Sequence, residues 1–586
     1  MRWRGVICGG MVCVVAAAFG FTGLRAARAQ DFQLKIIALN DLHGSLESPG
    51  KFRANAQSPL APVGGVDYLA GYVAQLKSEN PLNIVVSAGD LTGASPLVSA
   101  LFHDEGTIET MNRMGLELNA VGNHEFDNGM PELRRKQRGG CSTADRNTCE
   151  GARVGTPVPF EGAKFQYLAA NVYDTATGKT IFPGYAIRTY KGVKIAFIGV
   201  TLKETPTIVI AKNVAGLRFT DEADAINRVV RQLRPQGVKI FVALIHQGGM
   251  QTGKDAADIN TCEGGLKGYP IAGIVKRLDD GVGLVLSAHT HVAYVCELPN
   301  SVGRRVPVTS ASAFGRMVTD VDMTIDPRSG TATHVMARNI LVDRTNAAVR
   351  PDATIAGIVA KYAELAAPIV NRVVGSITEE VRKAVSDAGE SEMGDLIADA
   401  QLEATRAAHA VVAFTNEGGV RTGLRFASGA PGVPDGKVTY GELVAAQPFD
   451  NDLVTMTLTG EQIRVMLEEQ FRGCALGARA GEGDPPSETR MLEASAGFSY
   501  RWHREAAPCH KVESGTIRLN GAAVVSAARY RVTVNSLLAD GGAQFYVLPR
   551  GTDRIVGEQD VKAMTAYFSK HPAVSPPKVG RIEVQP

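Results

Sequence analysis

Five apolar runs of the chain end in residues that can bind metal ions or carry protons. One run leads into VGNHEFDNG at 121–129, where an amide, an imidazole and two carboxylates follow one another closely. Imidazole nitrogens and carboxylate or amide oxygens are ligands of zinc, manganese, iron, cobalt and magnesium. A single histidine at a strand end is as often structural, but a set of such residues indicates a metal site. The candidate ligands are Asp41, His43, Asp90, Asn123, His246, His289 and His291.

The segments that would hold these residues alternate between strands and helices. Short runs rich in β-branched residues precede the candidate ligands, for example FQLKIIALN before Asp41 and VKIFVALIH, which ends at His246. Helix-like segments, such as those at 66–80 and 221–237, lie between the runs. This order predicts an α/β fold with a buried sheet, in which sites form at the carboxyl ends of the strands.

The spacing within two of the groups is regular. Side chains alternate along an extended chain, so Asp41 and His43 are expected on the same side, as are His289 and His291. Oxygen and nitrogen ligands in this number suit two divalent ions that share one carboxylate.

The blocks NDLHG, GD at 89–90, GNHEFD, the histidine at 246 and HTH at 289–291 resemble the five blocks of the calcineurin-like metallophosphatases. The spacing and AANV at 169–172 resemble the secreted 5′-nucleotidase branch. The resemblance implies a four-layer αββα metallophosphatase sandwich followed by a smaller α/β C-terminal substrate-binding domain. Ala288 departs from the glycine that usually precedes the last block, but the change removes no ligand.

The same resemblance assigns four ligands to each of two divalent ions (Zn, Mn, Co, Fe or Mg), with Asp90 bridging. The first ion would be held by Asp41, His43, Asp90 and His291. The second ion would be held by Asp90, Asn123, His246 and His289.

His124 and Asp127 match the catalytic dyad of that family. His124 follows a ligand and is expected to point away from the ion, toward the substrate, while Asp127 holds its imidazole. Gly122 and Gly129 let the backbone turn, and Glu125 and Phe126 are expected to be structural. The expected reaction is attack of a metal-bound hydroxide on phosphorus, with His124 stabilising the developing charge or protonating the leaving oxygen.

The second half of the chain is predicted to be a separate domain. We expect a calcineurin-like domain at 30–345, a linker helix within 346–372 and a substrate-binding domain at 373–586. The blocks GESEMGDLIADAQ, TNEGGVRTGL and TYGELVAAQPFDNDLV resemble the 5′-nucleotidase C-terminal domain, and VNSLLADGGAQF matches it more loosely.

The resemblance assigns substrate binding to three residues of the second half. Asn416 matches the residue that reads the base, Arg421 the arginine that grips a phosphate, and Phe449 one of two aromatic rings that sandwich the base. Leu537 stands where the family has the second ring, and Ala543 where it has the ribose-binding aspartate. A base held by one ring loses stacking of about 1–3 kcal/mol.

These departures leave more than one function open. The leading hypothesis is a hydrolase of nucleoside 5′-monophosphates or related nucleotides. The same metal centre could instead act on a 2′,3′-cyclic nucleotide, a UDP-sugar or a sulfur ester. A secreted binding module that keeps its metals for folding is the third hypothesis, and the dyad argues against it, because a structural metal site needs neither residue.

Residues 1–29 have the composition of a cleaved signal peptide, with an uncleaved membrane anchor as the alternative. We therefore expect export to the periplasm or the extracellular space. Loss of this leader changes the formal charge from +2 to −2, since it holds four arginines and no acid. A nearly neutral protein has no general affinity for nucleic acid polymers or anionic membranes. No later stretch is expected to span a membrane, and the protein is expected to be a monomer or a homodimer.

Six cysteines remain after the leader, an even number that favours disulfides in an exported protein. Free buried thiols are the alternative. Proximity along the chain favours the pairs Cys141–Cys149, Cys262–Cys296 and Cys474–Cys509.

Overall fold

The computed structural model describes residue 1 and residues 30–143, 145–253, 258–429, 432–479, 485–486 and 488–586. The predicted signal peptide, apart from residue 1, lies outside the described residues. We call residues 30–345 the N-terminal half and residues 373–586 the C-terminal half.

The N-terminal half alternates strands and helices, as the sequence predicts. Its strands are β1 (Phe32–Leu39), β2 (Gly50–Phe52), β3 (Ala61–Val63), β4 (Asn83–Ser87), β5 (Leu118–Ala120), β6 (Gln166–Leu168), β7 (Val172–Asp174), β8 (Tyr185–Tyr190), β9 (Val193–Thr201), β10 (Leu217–Phe219), β11 (Ile240–His246), β12 (Val282–Ser287), β13 (Ala293–Pro299), β14 (Arg305–Ala311), β15 (Met317–Asp326) and β16 (Thr331–Leu341). Its helices are α1 (Val66–Glu79), α2 (Leu97–Ala100), α3 (Glu105–Met114), α4 (Gly129–Arg138), α5 (Gly151–Val154), α6 (Thr205–Ile208), α7 (Glu222–Leu233) and α8 (Pro270–Arg277).

Two six-stranded sheets form the centre of this half. The first has the order β16-β15-β1-β4-β5-β6, and the second has the order β13-β14-β12-β11-β9-β8. Strands β1, β4, β5 and β6 are parallel, as are β9, β11, β12 and β14. Both faces of these strands are covered, which is why their sequences are almost continuously apolar.

Strand β1 shows how the layers are built. Leu34 and Ile36 lie in the apolar cluster between the two sheets, while Ile37 and Leu39 lie in the cluster beneath helices α1 and α3. Successive side chains of a strand point to opposite faces, so one strand contributes to both layers. Helices α7 and α8 cover the outer face of the second sheet. The predicted four-layer αββα sandwich is confirmed.

A long helix, α9 (Ala353–Val370), leaves this half at the position where the sequence predicts a helix. Asp352 caps it by accepting a hydrogen bond from the backbone of Ile355. Ile355, Ile358, Tyr362 and Ala366 are its buried residues and recur every three or four positions. They pack against α1, α2 and α3 of the N-terminal half.

Among the described residues, α9 is the one helix with the length and hydropathy of a membrane span. We expected no stretch after residue 29 to be apolar enough to span a membrane. Judged by its length and composition, α9 contradicts that expectation. Length and composition are weak evidence for a span, since core helices of soluble proteins share them.

The C-terminal half is a second α/β unit. Its strands are β17 (Val373–Ser376), β18 (Val412–Asn416), β19 (Lys437–Thr439), β20 (Asp452–Thr459), β21 (Leu492–Ala494), β22 (Phe498–His503), β23 (Arg518–Leu519), β24 (Ala522–Ala523), β25 (Arg529–Asn535), β26 (Thr552–Gln559) and β27 (Ile582–Gln585). Its helices are α10 (Glu392–Ala404), α11 (Tyr440–Ala446), α12 (Gly460–Glu469), α13 (Ser536–Ala539) and α14 (Asp560–Lys570). The larger sheet has the order β21-β18-β25-β20-β26, and the smaller has β24-β23-β22-β27.

The structure confirms the three predicted disulfides: Cys141–Cys149, Cys262–Cys296 and Cys474–Cys509. Each bond lies within one half of the chain. They therefore constrain loops inside each half and leave the contact between the halves to non-covalent packing.

Candidate metal centre and the cleft between the two halves

The carboxyl ends of five strands converge on one site. Strands β1, β4 and β5 are neighbours in the first sheet, and β11 and β12 are neighbours in the second. Each of them delivers candidate ligands at its last residue or in the turn that follows. The residues brought together are Asp41, His43, Asp90, Asn123, His246, His289 and His291.

One group of ligands surrounds the first candidate ion position. The Nε2 atoms of His43 and His291 lie 3.0 Å apart. Asp41 Oδ1 is 3.9 Å from the first of these nitrogens and 3.6 Å from the second. Three donor atoms that face one another at these distances, in a buried pocket, form a site that can hold a cation.

A second group lies beside the first. His246 Nε2 is 3.0 Å from Asp90 Oδ2 and 3.2 Å from Asn123 Oδ1. His289 joins Asp90 and His246 in a group whose ligand atoms all lie within 4.8 Å of one another. Asp90 Oδ2 is also 3.7 Å from His43 Nε2, so this carboxylate stands between the two groups, where a bridging ligand would be.

The backbone conformation at the ligands differs from the prediction. Asp41, His43, Asp90, His289 and His291 have φ angles of 49°, 48°, 53°, 75° and 60°. The expectation that the paired ligands share one side of an extended strand is wrong, because they lie in turns beyond the strand ends. Non-glycine residues in this region are strained, and the surrounding structure must compensate for the cost.

Hydrogen bonds aim the ligands inward. His43 Nδ1 lies 2.9 Å from the carbonyl oxygen of Gly93, and His246 Nδ1 lies 3.0 Å from that of Ala88. A ring whose Nδ1–H donates to a carbonyl presents its Nε2 as the ligand atom. Such bonds fix both the tautomer and the orientation of the ring.

Glu125 is structural, as predicted. Its carboxylate accepts hydrogen bonds from the backbone N–H groups of Asp90, Leu91 and Gly122 at 2.9, 2.8 and 2.6 Å. We predicted that Gly122 serves to turn the backbone. The structure gives a different reason for a glycine here, because a Cβ at this position would collide with Asp90 Oδ1. The turn is made at Gly129, which has a φ angle of 77°.

The electrostatics of the pocket suit cations. Burial raises the pKa of Asp41 to about 7, although His246 opposes the shift. Burial also works to raise the pKa of Asp90, but His246 and His124 together hold it well below its usual value. Asp90 Oδ2 is buried and lies 3.0 Å from His246 Nε2. Two carboxylates with no exposure to water need positive charge beside them, and the donor set fits divalent ions.

His124 and Asp127 form a close pair beside this pocket. His124 Nδ1 lies 2.9 Å from one oxygen of Asp127 and 3.1 Å from the other. The backbone N–H of His124 donates to Asp90 Oδ1 at 2.9 Å. Burial works to lower the pKa of His124, but the charges of Asp127 and Asp90 raise it above its usual value.

His124 does not turn away from the candidate ligands as expected. One of its ring nitrogens lies within 4.8 Å of ligand atoms of His43 and Asp90. Because Nδ1 is engaged by Asp127, Nε2 is the nitrogen left for a substrate.

Arg421 and Phe449 reach the pocket from the C-terminal half. Burial lowers the pKa of Arg421, and the charges of Asp90, Asp127 and Asp41 lie close enough to oppose that shift. The Nη2 atom of Arg421 is buried without a hydrogen-bond partner. The Phe449 ring stacks on His124, with centroids 5.5 Å apart, and Arg421 lies 5.7 Å from the centre of that ring.

Asn416 has a different environment from the one expected for a base-reading residue. It is buried at the end of β18, and its Oδ1 accepts a hydrogen bond of 2.9 Å from Asn535 Nδ2. Asn535 in turn caps α13 by accepting from Leu538. Ala543, beyond that helix, is buried at a φ angle of 53°. The side-chain oxygen of Asn416 is thus engaged within the C-terminal half, by the residue that caps the helix preceding Ala543.

Sequence reasoning missed residues that border the pocket. Phe314 packs on His43 and His291, with ring centroids 5.7 and 5.2 Å apart. Burial and the charge of His246 are the main reasons that the pKa of His289 is lowered, and Arg490 lies close enough to add a smaller effect in the same direction. Neither residue belongs to a recognisable block, so only the folded structure brings them to notice.

Two family models match the chain. A model described as calcineurin-like phosphoesterase matches residues 34–293, and one described as 5′-nucleotidase, C-terminal domain matches residues 373–550.

Curated relatives resemble nearly the whole chain. Endonuclease YhcR of Bacillus subtilis is 27% identical over 574 residues, which are 97% of this chain and 42% of that protein. This chain therefore spans less than half the length of that relative. Cell wall protein Lmo0130 of Listeria monocytogenes is 28% identical, covering 94% of this chain and 69% of the relative. A probable 5′-nucleotidase of Treponema pallidum is 26% identical, with 90% of each chain covered.

A solved structure has the same fold. The crystal structure of a 5′-nucleotidase precursor from Thermus thermophilus superposes with a TM-score of 0.74 and 24% identity, covering 95% of this chain and 100% of that one. The two matched domains follow each other in the order that the sequence blocks predict. The chain belongs to the family in which a calcineurin-like phosphoesterase domain is joined to a 5′-nucleotidase C-terminal domain.

Proposed function

We propose that this chain is an exported, metal-dependent phosphohydrolase that releases phosphate from nucleoside 5′-monophosphates or related nucleotides. The observation that carries the proposal is the position of Arg421, a half-buried residue of the C-terminal half that lies close enough to carboxylates of the N-terminal half to interact with their charges, and whose Nη2 is buried without a hydrogen-bond partner. A phosphate bound between this guanidinium and the cations of the pocket would accept a hydrogen bond from Nη2 and balance the positive charge of both.

The seven ligands would hold two divalent ions, with Asp90 as the bridge. The first ion would be held by Asp41, His43, Asp90 and His291, and the second by Asp90, Asn123, His246 and His289. When bound, the two ions supply an activated water and a positive clamp for the phosphoryl oxygens.

The protein's own side chains carry the other steps. Arg421 binds oxygens of the phosphate and orients it in the cleft. Asp127 holds the His124 imidazole through Nδ1 and favours its protonated form. His124 then donates its Nε2 proton to the leaving oxygen, or stabilises the negative charge that develops there. The contact with Asp127, which works to raise the pKa of His124 against the effect of burial, supports this role.

Purified mature protein tests the proposal directly. Phosphate release from AMP and UMP is expected after chelation and readdition of manganese, cobalt, zinc or magnesium. Arg421→Gln is expected to raise the KM for AMP by about 10-fold or more, since a charged hydrogen bond contributes about 1.5–3 kcal/mol. A wild-type protein that releases no phosphate from any phosphoester with any of these metals would refute the proposal.

A second candidate is hydrolysis of another ester by the same centre. It is favoured by the environment of the predicted nucleoside clamp, because Phe449 stacks on His124 and Asn416 bonds to Asn535. Turnover of UDP-glucose or 2′,3′-cyclic AMP without turnover of AMP would select it. In either case we propose the division at 30–345, 346–372 and 373–586, with the substrate between the two halves.

Export is the third element of the proposal. It rests on the composition of residues 1–29 and on the three disulfides, which form in oxidising compartments. The cell wall protein among the relatives supports the same interpretation. Fractionation of cells that express the full chain, with detection of a product shortened by about 29 residues, tests export.

A further inference from the structure

A second group of cationic side chains borders the metal pocket, apart from Arg421. Arg316 precedes β15 in the N-terminal half, and its guanidinium carbon lies 4.9 Å from the ring centre of Phe314 and 5.3 Å from that of Phe52. Phe314 also contacts the ligands His43 and His291. Arg316 therefore lies one aromatic ring away from the first candidate ion position.

Arg425 reaches the same place from the C-terminal half. It follows Arg421 by four residues, and its guanidinium lies over Gly50 of β2. A Cβ at Gly50 would come within 2.8 Å of Arg425 Nη2, so the absence of a side chain at that position admits the guanidinium. The two arginines thus face each other across the cleft between the halves.

The two arginines have no acidic partner among the described residues. Arg316 and Arg425 form no ion pair there, and Arg316 Nε is buried without a hydrogen-bond partner. Burial, followed by the charge of Arg425, lowers the pKa of Arg316 to about 10, and no carboxylate offsets these effects. Arg316 is half-buried and Arg425 is exposed, so the two guanidinium groups, with no carboxylate between them, offer an anion charged donors from both halves.

We propose that Arg316 and Arg425 bind a second phosphate group of the substrate, so that the cleft prefers nucleoside 3′,5′-bisphosphates to 5′-monophosphates. This inference rests on the proposed function, because it names the substrate class of the same site. The Phe314 ring lies between the metal ligands and Arg316, and this separation favours two phosphates joined through a sugar over two that are linked directly. Planar guanidinium groups are well suited to phosphate oxygens.

The first test compares adenosine 3′,5′-bisphosphate with AMP, measuring release of the 5′-phosphate. The ratio of kcat/KM for the bisphosphate to kcat/KM for AMP is expected to fall about 10-fold or more in both Arg316→Gln and Arg425→Gln. Arg218→Gln is the matched control, because Arg218 is exposed and lies 4.8 Å from the Tyr173 ring. An unchanged ratio in both arginine variants would overturn the proposal, whether kcat/KM stays at the wild-type value or falls equally for the two substrates.

The second test needs no catalysis and separates this inference from the proposed function. Inorganic phosphate is titrated calorimetrically into metal-free protein that carries Arg421→Gln, which removes the guanidinium aimed at the metal pocket. Binding that is lost on adding Arg316→Gln or Arg425→Gln supports the second site even if no phosphoester is hydrolysed. The second site is ruled out if the Arg421→Gln protein binds no phosphate. It is also ruled out if that protein binds phosphate with the same affinity after Arg316→Gln or Arg425→Gln is added.

Discussion

The rings of His124 and Phe449 stack with their planes 14° apart and their centroids 5.5 Å apart. One ring comes from the end of β5 in the N-terminal half and the other from the loop before β20 in the C-terminal half. The stack therefore joins the proposed proton donor to the unit that would bind the organic part of the substrate.

We expect Phe449→Leu to slow hydrolysis of all phosphomonoesters to a similar extent. An aromatic pair contributes about 0.5–1.5 kcal/mol beyond its buried area, which corresponds to a rate loss of about 2- to 13-fold. Comparison of AMP with ribose 5-phosphate, which has no base, makes the measurement. A loss confined to AMP would show instead that Phe449 leaves His124 and grips the base.

His124→Asn and Asp127→Asn test the dyad. Removal of a positioned acid is expected to lower kcat by about 10²- to 10⁴-fold, and Asp127→Asn should have a smaller effect because the imidazole remains. Asp127 also accepts a hydrogen bond of 3.0 Å from Ala94, so thermal unfolding must be recorded for each variant. Nucleotide turnover by His124→Asn at the wild-type rate would remove this residue from the mechanism.

Asp90→Asn is expected to weaken metal binding, and with it the stabilisation of the folded protein by metal ions. Ions that bind only the folded state raise the Tm, so readdition of manganese or zinc to chelated wild-type protein should raise it by several degrees. The variant should lose most of that rise together with activity, since the carboxylate lies between the two ligand groups. Asp224→Asn, an exposed change on α7, is the control that should retain the full rise.

The contacts of His103, which lies outside the metal pocket, predict a pH-dependent contribution to the free energy of unfolding. Its ring nitrogens lie 3.2 Å from Glu132 and 2.8 Å from Asp145, and the hydrogen bond to Glu132 is the main reason that its pKa is raised. The contribution of a group with a raised folded pKa is complete below its unfolded value of 6.5 and is lost as the pH rises through the folded value.

Replacement by asparagine tests this dependence, because residue 103 has a φ angle of 56°, which asparagine tolerates. His103→Asn should lower the free energy of unfolding by about 0.5–1 kcal/mol at acidic pH, with a smaller deficit at alkaline pH. His409→Asn, at an exposed position with a φ angle of 61°, is the matched control. Equal deficits at both pH values would contradict the assignment.

The sequence alone determined the fold class, the segments near α1, α7 and α9 and the identity of the residues that converge on the pocket, and it favoured the disulfide pairs that the structure shows. These features depend on local patterns: apolar runs, the polar residues that follow them, and cysteines close together in the chain. The blocks around Asp41, Asp90, Asn123 and His289 are recognisable for the same reason.

Only the tertiary structure decided how these residues meet. The positive φ angles at Asp41 and His291 are held by packing and by hydrogen bonds from distant segments, and no local pattern predicts them. The stack of Phe449 on His124 and the approach of Arg425 to Arg316 join residues that are more than 100 positions apart. Contacts of this kind follow from the way in which the two halves pack together, and a reading of each segment by itself contains no information about that packing.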